Sequence, residues 1–293
     1  YWSILGNFAN DQGKAPCKLT HFQGDKLQQF SISNAEHAAK VEKELRDIPA
    51  SHWRVSKVNK RSKKKNPPPP FITSTLQQEA VKKLGFSASR AMRTAQQLYE
   101  GVDVDGAQTG LITYMRTDST TIADEAIASI REFIGSHFGS KQLHPQIRQF
   151  KGRSKNAQEA HEAIRPTLIS RTPERLEGLL STDQLKLYRM IWQRTVAGQM
   201  QAATINQVSI DIGSNDIASF RCTGSNVQDP GFLLAYREGK EEGESDDTAE
   251  KHLPHFIEGQ TLTCQEIETK QHFTEPPARY SEASLVKALE EYG

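Results

Sequence analysis

Four consecutive prolines, Pro67 to Pro70, stand where two hydrophobic periods meet. Proline offers no backbone N–H and fixes φ, so four in succession fit neither a helix interior nor a central strand. They form a stiff polyproline connector and mark a domain boundary. Before them the apolar residues come in short runs, Ser3 to Phe8, Cys17 to Phe22 and Leu27 to Ile32. These are separated by the turn sequences Asp11-Gln12-Gly13 and Gln23-Gly24-Asp25, the pattern of a small antiparallel sheet. Asn34 is placed to cap a helix from Ala35 to Arg46, with Ala38, Val41 and Leu45 on the face that packs on the sheet. Beyond the prolines the period becomes helical.

In that second region Ser74 and Gln77 have capping-box spacing, which predicts a helix from Thr75 to Leu84 closed by Gly85. Ser87 starts another, with Ala88, Ala91, Ala95 and Leu98 toward the core and Gly101 at its end. Arg90, Arg93 and Gln97 fall on a different face, either a DNA-binding surface or ordinary solvated charge. Asp105-Gly106 makes a turn, and Thr121 with Asp124 is placed to cap a helix from Ile122 to Phe133. Gln158 to Thr167 is expected to be a helix ended by Pro166, with His161 and Arg165 on one face. Thr172 before Pro173 starts a helix, and Asp183 to Gln199 forms a longer one. Alternation returns at Val208, Ile210 and Ile212, then at Ile217 to Cys222 and Gly259 to Ile267, so a β unit is split by a helical one. Glu238 to Glu250 is acidic and poor in apolar groups, the composition of a mobile surface loop. Ser281 caps a last helix, Glu282 to Glu291.

Bulk composition narrows the class. With 293 residues, 36% hydrophobic and 25% charged, the chain can bury the cores of one large or two ordinary domains. It has no apolar run of about 18 residues, so no membrane partner is expected. The start at Tyr1-Trp2-Ser3 is no signal peptide, and both ends read as cuts through a longer chain. Cys17, Cys222 and Cys264 stand far apart without a CxxC pair, which points to neither a zinc ribbon nor a disulfide framework and fits a reducing cytoplasm. Net charge is only +1, yet Arg54 to Lys65 holds Arg54, Lys57, Lys60, Arg61, Lys63, Lys64 and Lys65 with no acid. Such a run serves as a phosphate-backbone contact strip or as a charged sheet edge that resists aggregation.

Chemistry concentrates in Gly110 to Thr120, GLITYMRTDST. If it is extended, Ile112, Tyr114 and Arg116 share one face, and Leu111, Thr113 and Met115 the other. A guanidinium beside a phenol favours the phenolate and holds an anion within its reach, a pair suited to attack on a phosphodiester. The same pattern also describes a packed tyrosine next to a solvated arginine. QEAHEAIRPT holds His161, Glu162 and Arg165, but Arg165 stands where a zinc metalloprotease helix needs its second histidine.

The segments PPPPFITSTLQQEAVKKLGFSASRAMRTAQQLYEG, GLITYMRTDST, AHEAIRPT and PPARYSEASLVKALEEYG occur in this order and cover roughly a third of the chain. Together they resemble the bacterial type IA DNA topoisomerases. Met115 between Tyr114 and Arg116 is closer to the topoisomerase I branch than to topoisomerase III, which tends to have proline there. The resemblance implies a mixed α and β, multidomain fold: a discontinuous antiparallel β arch domain with an inserted all-helical domain carrying the active-site tyrosine. Residues 1–70 and 201–275 are then the two parts of the arch, 71–200 the helical domain, and 276–293 the start of a truncated further helical domain. It implies Tyr114 as nucleophile and Arg116 as stabiliser of phosphoryl charge. It implies His161, Arg165, Thr117 and Asp118 around the DNA phosphates, with Arg90 and Arg93 as further DNA contacts.

The expected reaction relaxes negatively supercoiled DNA through a 5′-phosphotyrosine intermediate on a single strand. The partners it implies are single-stranded DNA, negatively supercoiled DNA and the rest of the parent chain, in a monomeric, nucleoid-associated cytoplasmic enzyme. Magnesium would be held by a Toprim domain that this sequence lacks, so the chain alone is expected to bind single-stranded DNA and not to relax it. Asp103-Val104-Asp105 reads as turn chemistry, not as that metal site. The rival is a non-catalytic single-stranded DNA-binding module in which Tyr114 only packs or stacks.

Overall fold

A computed structural model describes residues 1–150, 162–214, 217–240 and 248–292. The elements in chain order are β1 (Trp2–Asn10), β2 (Gly13–Phe22), β3 (Asp25–Lys26), α1 (Ala35–Arg46), β4 (Arg54–Lys65), α2 (Thr73–Glu79) and α3 (Ala88–Glu100). There follow β5 (Val102–Val104), β6 (Ala107–Thr109), α4 (Asp124–His137), α5 (Thr182–Gly198), β7 (Ala203–Ser214), β8 (Ala218–Asp229), β9 (Thr263–Gln271) and α6 (Glu282–Tyr292). They fall into two compact units, each drawn from three separate stretches.

The first unit comprises Tyr1–Lys63, Thr204–Gln228 and Asp246–Pro277. Its sheet runs in the order β4-β7-β8-β2-β1-β9, with β3 paired to β2. The β1–β2, β1–β9 and β2–β8 pairs are antiparallel. One face carries Ile4, Phe8, Cys17, Leu19, Phe220, Cys222 and Ile267 into a core closed by Ala38, Val41 and Leu45 of α1. Phe8, Trp53 and Phe220 meet edge to face there, with ring centroids 5.1 to 5.5 Å apart. Asn34 caps α1 by accepting the His37 N–H at 2.8 Å. The basic run forms β4 at one end of the strand order, so its cations line a sheet edge. Leu27 to Ile32, expected as a strand, is not one: after the short β3 the chain turns, and the Gln28 N–H donates to Ser31 Oγ at 2.8 Å.

The second unit comprises Lys64–Ala203, Asp229–Ser245 and Ala278–Gly293. Its buried apolar residues include Leu76, Ala91, Ala95, Leu98, Leu111, Ile127, Ile130, Ile134, Leu187 and Ile191, the stripes of α2 to α5 with one residue of the tyrosine segment. Ser87 caps α3, and Ser181 with Gln184 forms a capping box on α5. The start of α2 differs from expectation: Thr75 Oγ1, not Ser74, accepts the Ile72 N–H, and the helix begins at Thr73. It continues as a π-helical turn, Ala80–Leu84, ended by Gly85 at φ +66°. A buried polar cluster joins the end of α2 to α5. Tyr236 Oη donates to Glu79 Oε1 at 2.7 Å, Arg194 Nη1 donates to Tyr236 Oη at 3.0 Å, and Arg194 Nε donates to the Pro69 carbonyl at 2.6 Å. The third of the four prolines, Pro69, is thus held from α5.

All three cysteines are free thiols, two of them buried. Among the described residues no helix is long and apolar enough to cross a membrane. Residues 241–247, most of the acidic stretch expected as a mobile loop, lie outside the described residues.

Candidate active site

The Gly110–Thr120 segment is tied down along both sides by backbone and hydroxyl groups. Leu111 N–H donates to the Leu98 carbonyl at the end of α3 at 2.7 Å, and Thr167 N–H donates to the Leu111 carbonyl at 2.9 Å. Ile112 and Pro166 form an antiparallel bridge. Thr113 N–H donates to the Arg165 carbonyl at 2.9 Å. Its hydroxyl donates to the Ala163 carbonyl at 2.6 Å and accepts the Arg165 N–H at 3.0 Å. Thr73, in the first turn of α2, does the same from another direction. Its hydroxyl donates to the Met115 carbonyl at 2.8 Å and accepts the Thr117 N–H at 2.9 Å.

Two hydroxyl turns follow, Ser119 N–H to Thr117 Oγ1 at 3.0 Å and Thr121 N–H to Ser119 Oγ at 3.2 Å. The expected cap by Thr121 and Asp124 is absent. Helix α4 begins at Asp124, and the carboxylate Oε1 of Glu162 accepts the N–H of its N-cap residue Ala123 at 2.6 Å. A longer-range acid takes the place of the local one.

From Met115 onward the side chains alternate. Met115, Thr117 and Ser119 are buried, whereas Tyr114, Arg116 and Asp118 are exposed. Ile112, expected on the face of Tyr114 and Arg116, is buried under its bridge with Pro166. Tyr114 is 40% exposed, and its ring meets that of Tyr99 edge to face with centroids 5.2 Å apart. Among the described residues Arg116 and Asp118 have no ion-pair partner, so both charges face solvent.

The helix expected over Gln158 to Thr167 does not form in its described part. Residues 162–167 are irregular, with isolated bridges from Ile164 to Phe71 and from Pro166 to Ile112 and a bend at Thr167. Helical phase therefore does not place Arg165. Its Nη2 and Nε donate to Glu162 Oε2 at 2.7 and 3.2 Å, and Nη1 donates to the Pro166 carbonyl at 3.0 Å. Arg165 is thus spent on holding the segment beside the tyrosine. His161 lies outside the described residues.

Arg90 and Arg93 line an open groove of about 680 Å³ with Ser87, Ser181, Thr182 and Asp183. Arg90 forms a fork with Asp183, both bonds 2.8 Å, and lies over the Phe86 ring. The fork raises the guanidinium pKa and holds the Asp183 carboxyl below its usual range. Arg93 has no such partner among the described residues. Asp103 accepts the Gly106 N–H at 2.8 Å in the turn of the β5–β6 hairpin, and Asp105 takes φ 55°. Among the described residues no group of three or more His, Cys, Asp or Glu side chains is arranged to hold a metal.

Thr73 and Tyr99, which were not singled out from the sequence, shape the site together with Thr113 and Glu162, which the sequence offered only in other roles. Tyr99 left a local signal, an aromatic placed off the apolar stripe of α3 two residues before Gly101, and Glu162 lies three residues from its partner Arg165. The partners of Thr73 and Thr113, and the Ala123 N–H that Glu162 accepts, lie far along the chain.

The family model described as "DNA topoisomerase" matches residues 1–293. A protein named DNA topoisomerase 1 from Xylella fastidiosa (strain 9a5c) is 42% identical over 295 residues, covering 100% of this chain and 36% of its own length. The protein of the same name from Rickettsia conorii (strain ATCC VR-613 / Malish 7) is 46% identical over 296 residues, with 100% and 37% covered. Among solved structures, full-length topoisomerase I from Thermotoga maritima superposes with a TM-score of 0.75 at 32% identity, covering 99% of this chain and 43% of that one. The chain thus spans a little over a third of the curated relatives it matches.

Proposed function

The chain belongs to the DNA topoisomerase family, and from that membership we propose that it is the tyrosine-bearing part of a type IA enzyme that cleaves and rejoins one DNA strand to relax negative supercoils. The observation that carries this reading is the exposed row Tyr114, Arg116 and Asp118 on a segment fixed by its buried alternates. A phenol that must reach a phosphorus needs exposure and a fixed backbone together.

In the reaction Tyr114 Oη attacks a backbone phosphorus. The Oη–P bond forms as the P–O3′ bond breaks, leaving a 5′-phosphotyrosine and a free 3′-hydroxyl. The phenol loses its proton and the departing oxygen gains one. Reversal reseals the strand, because the ester conserves the bond energy. Arg116, without a competing carboxylate among the described residues, neutralises charge that builds on the phosphoryl oxygens. Asp118 and the buried Thr117 shape the path just beyond it, His161 contacts a flanking phosphate, and Arg165 acts through Glu162 and the backbone. Arg93, and Arg90 when released from Asp183, serve as backbone contacts.

When bound, magnesium would assist departure and return of the 3′ oxygen. Among the described residues no group of three or more His, Cys, Asp or Glu side chains is placed to hold it, and in this reading a Toprim domain elsewhere in the parent chain supplies it. In the same reading the first unit is the β arch and the second the helical domain that carries the nucleophile. The chain alone binds single-stranded DNA without relaxing plasmids.

The test mixes the full-length parent protein with magnesium and end-labelled single-stranded DNA, then denatures. A covalent adduct that disappears in Tyr114→Phe supports the reading. Equal adduct from both proteins, or none from either, removes Tyr114 from the role of nucleophile.

A further inference from the structure

Tyr114 is held by its backbone, but its ring has little to hold it. Among the described residues its hydroxyl has no hydrogen-bond partner, and its one aromatic contact is the Tyr99 ring, at 5.2 Å between centroids and 64° between planes. That edge-to-face geometry is the favoured arrangement of two aromatic quadrupoles. Both rings are 40% exposed, so the contact is not a by-product of core packing.

Two features bring Tyr99 to this place. It sits in the last turn of α3, directly after Leu98, whose carbonyl accepts the Leu111 N–H at 2.7 Å, and Leu98 and Leu111 are both fully buried. The end of α3 and the start of the tyrosine segment are therefore one rigid junction. At that junction Gly110 passes so close that a Cβ there would lie 2.8 Å from the Tyr99 carbonyl oxygen. The backbones of the two segments approach closely, and the two rings leave the junction side by side.

We propose that Tyr99 is a positioning residue for the nucleophile: its ring fixes the ring of Tyr114 so that Oη is presented in line with the scissile phosphate. The assignment rests on the proposed role of Tyr114. A ring free to turn about χ1 spends much of its time away from a near-attack geometry, and small misplacements of a reacting atom are costly in rate. What Tyr99 contributes is an aromatic face or edge, so its own hydroxyl is dispensable. Its effect is on the chemical step and not on DNA affinity.

The experiment uses the full-length parent protein with magnesium and a labelled single-stranded oligonucleotide. It reads the single-turnover rate of covalent adduct formation at saturating DNA, and separately the dissociation constant. Tyr99→Ala is expected to slow adduct formation about tenfold while changing the dissociation constant less than about twofold, and Tyr99→Phe to stay within about twofold of the parent in both. Tyr99→Leu keeps apolar bulk without a ring and is expected to be as slow as Tyr99→Ala, so a misfolded alanine variant does not remove the test.

An alanine or leucine variant as fast as the parent overturns the proposal. So does a phenylalanine variant as slow as alanine, which would give the work to the hydroxyl. A loss of affinity equal to the loss of rate also overturns it, since Tyr99 would then be a stacking platform for a base. Failure of the underlying reading looks different: adduct would persist in Tyr114→Phe or be absent from the parent protein itself.

Discussion

Tyr114, Arg116 and Asp118 stand outside because Met115, Thr117 and Ser119 stand inside, and the inner residues are anchored by hydroxyls on Thr73 and Thr117. Arg165 belongs to the same scaffold. Its side chain is 14% exposed and that of Glu162 29%, so the pair is shielded enough that removing the cation leaves a partly buried carboxylate short of a partner. Arg165→Ala should lower the unfolding free energy by about 1–3 kcal/mol in urea melts. Arg165→Lys should recover only part of that loss, because an ammonium cannot reproduce the fork. Gly110 is a second sensitive point. Gly110→Ala places a methyl against the Tyr99 carbonyl oxygen, a backbone atom that cannot swing aside. It should cost about 1–3 kcal/mol by the same measurement.

Among the elements, those whose signals are local were legible in the sequence. Asn34 and Ser87 cap the helices they were expected to cap, since the cap reaches only three residues along the chain. Helix α4 starts later than expected, with Glu162, far along the chain, accepting the N–H of its N-cap residue Ala123. The stretch 162–167 was misread as helix because its pairing partners Phe71, Ile112 and Thr113 are equally distant, and tertiary pairing outweighs a short run of good helix formers. The alternation of Tyr114 and Arg116 was legible, but the burial of Ile112 depends on Pro166 and was not.

Ser181→Ala removes the capping box of α5 and should cost about 1 kcal/mol in thermal or urea melts. Burial raises the phenol pKa of both Tyr188 and Tyr236 well above the usual value. Their contribution to stability is therefore complete below the unfolded pKa of about 10 and declines as pH rises beyond it, because the unfolded chain loses protons that the folded one keeps. Unfolding free energy followed across that range should fall, and Tyr188→Phe should flatten the fall.

At the scale of the molecule, each unit is assembled from chain stretches that lie far apart in sequence. The sheet of the first unit ends in β4, whose lysines and arginines suit both an edge protected from aggregation and a surface for phosphates. The second unit brings the start of α2, the end of α3, the 162–167 stretch and the cap of α4 to one short segment, whose backbone is thereby fixed around Tyr114. The chain covers a little over a third of its relatives, so its chemistry is to be read in the context of the parent protein.

The central claim is that Tyr114 carries the covalent link. Proteolysis of the denatured adduct formed by the full-length parent protein on single-stranded DNA, followed by mass spectrometry of the oligonucleotide-bearing peptide, tests it most directly. One modified peptide containing GLITYMR is expected, with the 5′-phosphate on Tyr114. A DNA-linked peptide that maps to any other tyrosine, or a 3′-phosphate linkage, would contradict it.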